Sequence, residues 1–209
     1  MFITRTTEEA DLTQAAIPKM DNRVQRTRKR IQESFMALTV EQGYDAINVQ
    51  DIVDHAKINR STFYRHYLDK DDLLSKYMQE VTDSTFKDDF DSDNTGVVKL
   101  LNHIQLYSEF YRIMLSANGH PLVSERLRQK VENRFRAHLT PHNKTQGAKG
   151  ASIELQLRSM SAAGIGAILW WVENNTPCTS EELAVWIGQL SSAAVEQSMK
   201  FPSLPGKPT

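Results

Sequence analysis

The chain has 209 residues, 40% hydrophobic and 24% charged, with a formal net charge of −1. That is the composition of an ordinary globular protein with room for a core, and it excludes uniform basicity, so any nucleic-acid contact must rest on local charge. A single cysteine, Cys178, excludes an intrachain disulfide and fits a cytosolic protein, and no apolar run reaches the length of about 18 residues needed to cross a membrane.

Residues 1–21 lack the apolar stretch of a signal peptide and read as a mobile N-terminal arm. A first helix is predicted from Asn22 to Gln42, because Val24, Ile31, Phe35 and Leu38 recur at helical spacing and Gly43 supplies a C′ stop. Its early turns carry Arg23, Arg26, Arg28, Lys29 and Arg30, five cations in eight residues with no acid among them. Met78 to Asp93 has the opposite balance, six acids against Lys87. The cations suit salt-sensitive attraction to a phosphate backbone, or a solvated helix face.

The stretch Asn48–Leu74 is the most informative. Asn48 can cap a short helix with Asp51 at the capping-box position, and Ile52, Val53 and Ala56 share its apolar face. Lys57-Ile58-Asn59 forms a turn, and Asn59 can cap a second short helix in which Phe63 and Tyr67 face the core. Asp69 and Asp72 then open another helix at Lys70, running to about Thr85. Short helices joined by a tight turn are helix-turn-helix geometry. The outer face of the second helix presents Arg60, Ser61, Thr62, Tyr64, Arg65 and His66, side chains that hydrogen-bond phosphates and base edges in a major groove.

Residues 87–94 are acidic and aperiodic and read as a linker. Beyond it every periodic segment is helical: Val97–Tyr107, Glu109–Ala117 with Ser108 as cap, and Pro121 to about Leu139. Thr140–Gly150 is expected to be a loop. A strongly apolar helix follows from Ala151 to Glu173, ended by Thr176-Pro177. Thr179 and Glu182 form a capping box for a last helix to about Lys200, and residues 201–209 read as a disordered tail. Small residues spaced by four, Ala162 and Gly166 before Trp170, then Ala184, Gly188 and Ser192, suggest close helix packing. That packing is either between two copies of the chain or within one. Tyr107, Phe110, Met114, Phe135, Met160 and Trp170 are candidates for an effector pocket or for ordinary core.

The run Asn48–Leu74 with its flanks resembles the DNA-binding domain of the TetR/AcrR family of bacterial transcriptional regulators. Gly43-Tyr44, Val49, Ile52, Ala56, Thr62-Phe63-Tyr64, His66-Tyr67, Lys70 and Leu73-Leu74 carry the likeness, which covers about residues 23 to 86. More softly, Phe110-Tyr111-Arg112, Gly164–Trp171 and Ser180–Leu183 leading into Ala184 resemble the regulator region of one TetR subgroup. One departure is Lys57, where the family usually has the glycine that eases an unusual backbone angle. The resemblance implies an all-α protein with an N-terminal three-helix helix-turn-helix domain (22–86) and a C-terminal helical ligand-binding and dimerisation domain (87–200). It implies that Arg60, Ser61 and Tyr64 approach base edges and that Thr62, Tyr64, Arg65, His66 and Lys70 hold phosphates. Gln50 and Lys57 lie close enough to join them, though Tyr64 and His66 could instead pack within the domain. The implied function is a homodimeric transcriptional regulator, a repressor in the leading reading and an activator in the other, on a pseudo-palindromic operator, responding to an unidentified small molecule, to a protein partner or to nothing.

Catalysis is not expected. His138 and His142 have Pro141 between them and no accompanying carboxylate, Cys178 has no basic neighbour, and neither a phosphate loop nor a serine elbow is present. No cofactor or metal is expected. The competing reading is a helical adaptor that works by protein contact alone.

Overall fold

The computed structural model describes residues 19–85, 95–117, 119–146 and 153–198. The expected linker at 87–94 and tail at 201–209 lie outside these residues, as do the first 18 positions of the expected arm. Among the described residues there are nine helices and no strand: α1 (Lys19–Gln42), α2 (Val49–His55), α3 (Arg60–Tyr64), α4 (Lys70–Thr85), α5 (Thr95–Leu106), α6 (Ser108–Leu115), α7 (Pro121–Gln146), α8 (Ile153–Glu173) and α9 (Ser180–Ser198).

The local chemistry explains most boundaries. Gly43 adopts φ 85°, and its N–H reaches the Thr39 carbonyl at 3.0 Å, closing α1 with a left-handed cap. Asn48 accepts from the Gln50 and Asp51 backbone while the Asp51 carboxylate accepts from the Asn48 N–H, the full capping box. Thr179 and Glu182 make the same reciprocal pair at α9, at 3.1 and 2.8 Å. Gly119 is required where the chain turns from α6 into α7, because a Cβ there would collide with the Met114 carbonyl.

Several expected boundaries need correction. Asn59 sits at the N-cap of α3 without a side-chain cap bond; its carbonyl instead accepts from Thr62 and Phe63 N–H groups. Ser108 is the first helical residue of α6, with Tyr107 at the cap position, and α6 stops at Leu115 rather than Ala117. The segment 140–146, expected as loop, continues α7. A single proline removes one backbone donor, and good helix formers such as Lys144 and Gln146 carry the helix past it. Residues 147–150 of that expected loop lie outside the described residues.

One core runs through the whole assembly. Ile31 and Phe35 of α1, Ile52 of α2, Phe63 of α3 and Leu73 and Leu74 of α4 are fully buried together with Leu101, Ile104, Tyr111, Val123 and Trp171 of the later helices. The Phe110 ring joins the two halves, 5.9 Å from Phe35 and 5.9 Å from Tyr77, edge-on to both. Such edge-to-face aromatic pairs add about 0.5–1.5 kcal/mol beyond their burial. The helix-turn-helix therefore stands on α6 through α1 and α4 rather than hanging from a flexible hinge. Leu157 and Met160 form a smaller cluster with Phe135 and Ile153 between α7 and α8.

Candidate nucleic-acid interface

The α2–α3 unit buries one side of each helix and exposes the other. Ile52 and Val53 of α2, Ala56 at its C-cap, Phe63 of α3 and Tyr67 just beyond it are all buried, which fixes the roll of α3 and turns its opposite side outward. Arg60, Ser61 and Tyr64 are exposed there, Tyr64 at 45%. An Arg60 Nη donates to the Tyr64 hydroxyl at 3.0 Å, and the guanidinium carbon lies 5.5 Å from the Tyr64 ring centroid. A second Arg60 nitrogen approaches Gln50 Oε1 at 3.4 Å, and Gln50 Nε2 donates to Asp54 at 2.9 Å. Gln50, Arg60 and Tyr64 thus form one exposed polar chain across α2 and α3.

Arg65 caps the end of α3 and donates to Thr62 Oγ1 at 3.2 Å. His66 lies in the following turn, half-buried beside Tyr67. Burial, and then the nearby Arg28, Arg65 and Lys76, lowers its pKa and favours the neutral ring. Lys57 has φ 51°, the left-handed conformation that glycine adopts freely, with its side chain exposed beside the turn.

Lys70 is engaged within the domain. Its ammonium donates to the Tyr44 and Ile47 carbonyls at 2.7 and 2.9 Å and lies 4.2 Å from the Tyr44 ring centroid. The side chain clamps the α1–α2 connection to α4. Tyr44 is itself held by its hydroxyl donating to Asp71.

The basic run of α1 is likewise divided. Arg30 donates to the Ala56 and Lys57 carbonyls, satisfying acceptors left open at the end of α2. Arg28 pairs with Glu80 of α4, and Lys29 faces Glu33 at 3.7 Å. Among the described residues no carboxylate pairs with Arg23 or Arg26. Sequence spacing could not reveal the Arg30 clamp, because its partners lie 26 and 27 residues away.

The six residues considered for an effector pocket are not brought to one cavity. Phe110 and Met114 belong to the main core, Phe135 and Met160 to the smaller cluster, Trp170 is 52% exposed, and Tyr107 lies near α1. The small-residue stripes also diverge. Ala162, Gly166 and Trp170 are exposed along α8 and Ser192 along α9, but Ala184 is buried within the subunit and Gly188 is partly covered. The outward apolar face of α9 is instead Val185, Trp186 and Leu190, with Trp186 67% and Leu190 60% exposed. A depression of about 740 Å³ lies between Trp170 and Trp186.

Residues 35–77 match the family model "Bacterial regulatory proteins, tetR family", and residues 91–192 match "Transcriptional regulator C-terminal region". The HTH-type transcriptional regulator YxbF of Bacillus subtilis (strain 168) is 40% identical over 62 residues, which cover 29% of this chain and 16% of that protein. A TetR transcriptional regulator from Streptococcus agalactiae 2603V shares the fold with a TM-score of 0.60 at 23% identity, covering 82% of this chain and 97% of that one. The dihydroxyacetone kinase operon activator DhaS superposes equally well, with a TM-score of 0.60 at 22% identity over 85% of this chain and 98% of its own. With an architecture that is all-helical among the described residues and family matches over 35–77 and 91–192, the chain belongs to the TetR family of DNA-binding bacterial transcriptional regulators.

Proposed function

We propose that the protein acts as a homodimeric repressor that reads a pseudo-palindromic operator and is released by a small molecule. The observation that carries this reading is the outward face of α3. Arg60, Ser61 and Tyr64 stand exposed on a helix too short to serve any packing role beyond burying Phe63. Arg60 and Ser61 are the base-edge candidates, with Tyr64 reaching a base or a phosphate; an arginine paired bidentately with guanine discriminates by about 1–3 kcal/mol. Thr62, Arg65, His66 and Lys57 are positioned to hold the phosphate backbone, and Gln50 to meet either. Lys70 contributes by fixing the loop behind the reader, not by touching DNA. The chain works without a cofactor or catalysis, in the cytoplasm where its operator lies.

Dimerisation is supported by the apolar surface of α8 and α9. Trp170, Val185, Trp186 and Leu190 would leave a large apolar patch facing water in a monomer. Pairing these helices with those of a second copy covers it. Two recognition helices about 34–36 Å apart then meet successive turns of one duplex face. The four flanking small residues Ala162, Gly166, Gly188 and Ser192 allow the backbones to approach.

The test is selection of binding sites from random duplexes, followed by binding against salt for wild type and Tyr64→Ala. An enriched palindrome, a steep salt slope and loss of enrichment in the variant support the reading. Folded dimer that enriches nothing at low salt overturns it and favours an adaptor acting through protein contacts.

A further inference from the structure

We infer that the cleft where α1 meets α4 and α5 binds a small organic carboxylate with an apolar body. The cleft has a volume of about 530 Å³, within the range of small-molecule sites. It is separate from the interior of the helical body, where Phe110 and Met114 are buried in the main core. Regulation through it rests on the repressor reading above; binding itself does not.

The wall from α1 supplies cations. Arg26, Arg28 and Lys29 face the cleft, and so do two carboxylates, Glu33 and Glu80. Glu80 is already engaged, accepting from Gln32 Nε2 at 2.8 Å and paired with Arg28. Lys29 and Glu33 are both exposed and 3.7 Å apart, a loose pair worth little in water. Arg26 has no carboxylate partner among the described residues. The wall therefore carries one surplus positive charge, three cations against two acids, centred on a guanidinium free to grip a carboxylate with two parallel bonds. One surplus charge matches a monocarboxylate better than a phosphate dianion.

The floor comes from the other elements and is largely aromatic. Tyr77 of α4, His103 of α5 and Tyr107 line it beside Met36. The Tyr77 hydroxyl and His103 Nε2 lie 2.9 Å apart and satisfy each other; with Tyr77 and Met36 buried, the half-buried His103 and Tyr107 rings supply the surface for an apolar ligand. The His103 and Tyr107 rings are 5.0 Å apart at a tilt of 54°. A ligand with its charge on Arg26 and its body on these rings would tie α1 to α4 and α5. Because the same run of α1 adjoins the DNA reader, neutralising Arg26 would also weaken attraction to the phosphate backbone. Operator affinity is expected to fall by at least about fivefold.

The probe is the full-length protein with ¹³C-labelled methionine methyls, titrated in the absence of DNA with benzoate, phenylacetate and octanoate. Benzamide, octanamide and inorganic phosphate serve as counterparts. The expected result is a saturable shift of the Met36 methyl by at least one of the carboxylates, with the amides and phosphate much weaker. Arg26→Ala and Tyr107→Ala should each raise that Kd by roughly tenfold, while circular dichroism confirms the fold. The proposal is overturned if no carboxylate moves Met36, or if the shifts fall on Met114 or Met160. Equal binding by the amides or phosphate, or an unchanged Kd in Arg26→Ala, would also overturn it. None of these readings depends on DNA, so failure of operator selection leaves them standing.

Discussion

Lys70 separates two physical accounts of the same residue, one in which its charge meets phosphate and one in which it holds the fold. Lys70→Met keeps the aliphatic stem and removes the ammonium. Lost with it are hydrogen bonds to the Tyr44 and Ile47 carbonyls at 2.7 and 2.9 Å and the contact over the Tyr44 ring at 4.2 Å. Hydrogen bonds from a charged group contribute about 1.5–3 kcal/mol each, and a cation over a ring about 0.5–1 kcal/mol. The site is half-buried, so water can replace part of what is removed, and a net loss of about 2 kcal/mol is expected. For a chain of this size that lowers Tm by roughly 4–8 °C.

The assay pairs thermal and urea denaturation with the salt dependence of operator binding; urea is chosen because guanidinium would screen the charge under study. The structural account expects the stability loss with little change in the salt slope once protein is held well below its Tm. An unchanged Tm together with a salt slope reduced by about one unit would mean the ammonium leaves the carbonyls to neutralise a phosphate. That result would refute the clamp.

Lys57→Gly should shift stability and binding in opposite directions. It relieves a left-handed lysine at φ 51°, worth about 1 kcal/mol before the entropy of glycine is counted, so the urea midpoint rises slightly while operator affinity and salt slope both fall. His103, pushed down to about 4 by burial, makes stability pH-dependent. Its folded pKa lies below the unfolded value of about 6.5, so the unfolded chain binds more protons between those limits and stability declines as pH falls through them. Allowing for partial exposure, roughly 1–2 kcal/mol should be lost between pH 7 and 5, and urea midpoints of His103→Phe should lack that share of the slope. Trp186→Asp, on the outer face of α9, should yield monomers by light scattering with helicity retained; a dimer that persists would place the interface elsewhere.

The parts of the fold legible in sequence are those set by contacts three or four residues apart. The boxes Asn48–Asp51 and Thr179–Glu182, the stop at Gly43 and the inward pair Phe63 and Tyr67 all follow from local spacing. What sequence obscured depends on distant partners. Arg30 and Lys70 look like any solvated cation until α2 and the α1–α2 connection bring carbonyls within reach. The phase of α9 was hidden for another reason: both of its faces are apolar, one against α5 and α8 and one toward solvent, so Ala184 and Trp186 could have exchanged roles without altering the periodicity. The run through Pro141 was obscured because proline's local penalty is outweighed by helix on both sides.

The candidate site was legible in residue type but not in division of labour. Nine residues are candidates for DNA contact by sequence, and they differ in whether their polar atoms already have protein partners. Lys70 donates to two backbone carbonyls and His66 is half-buried and neutral-leaning, so neither adds a mobile charge at the surface. Arg60 is engaged too, but differently. Its bonds run to Tyr64 and Gln50, which are themselves exposed, so a base edge can replace the weak 3.4 Å contact to Gln50 while the 3.0 Å bond to Tyr64 stays. Holding a long side chain near its working rotamer reduces the entropy, about 2 kcal/mol for arginine, that binding would otherwise have to overcome. On this argument Tyr64 contributes to recognition even if its hydroxyl never meets a base, because it orients the guanidinium proposed for that contact.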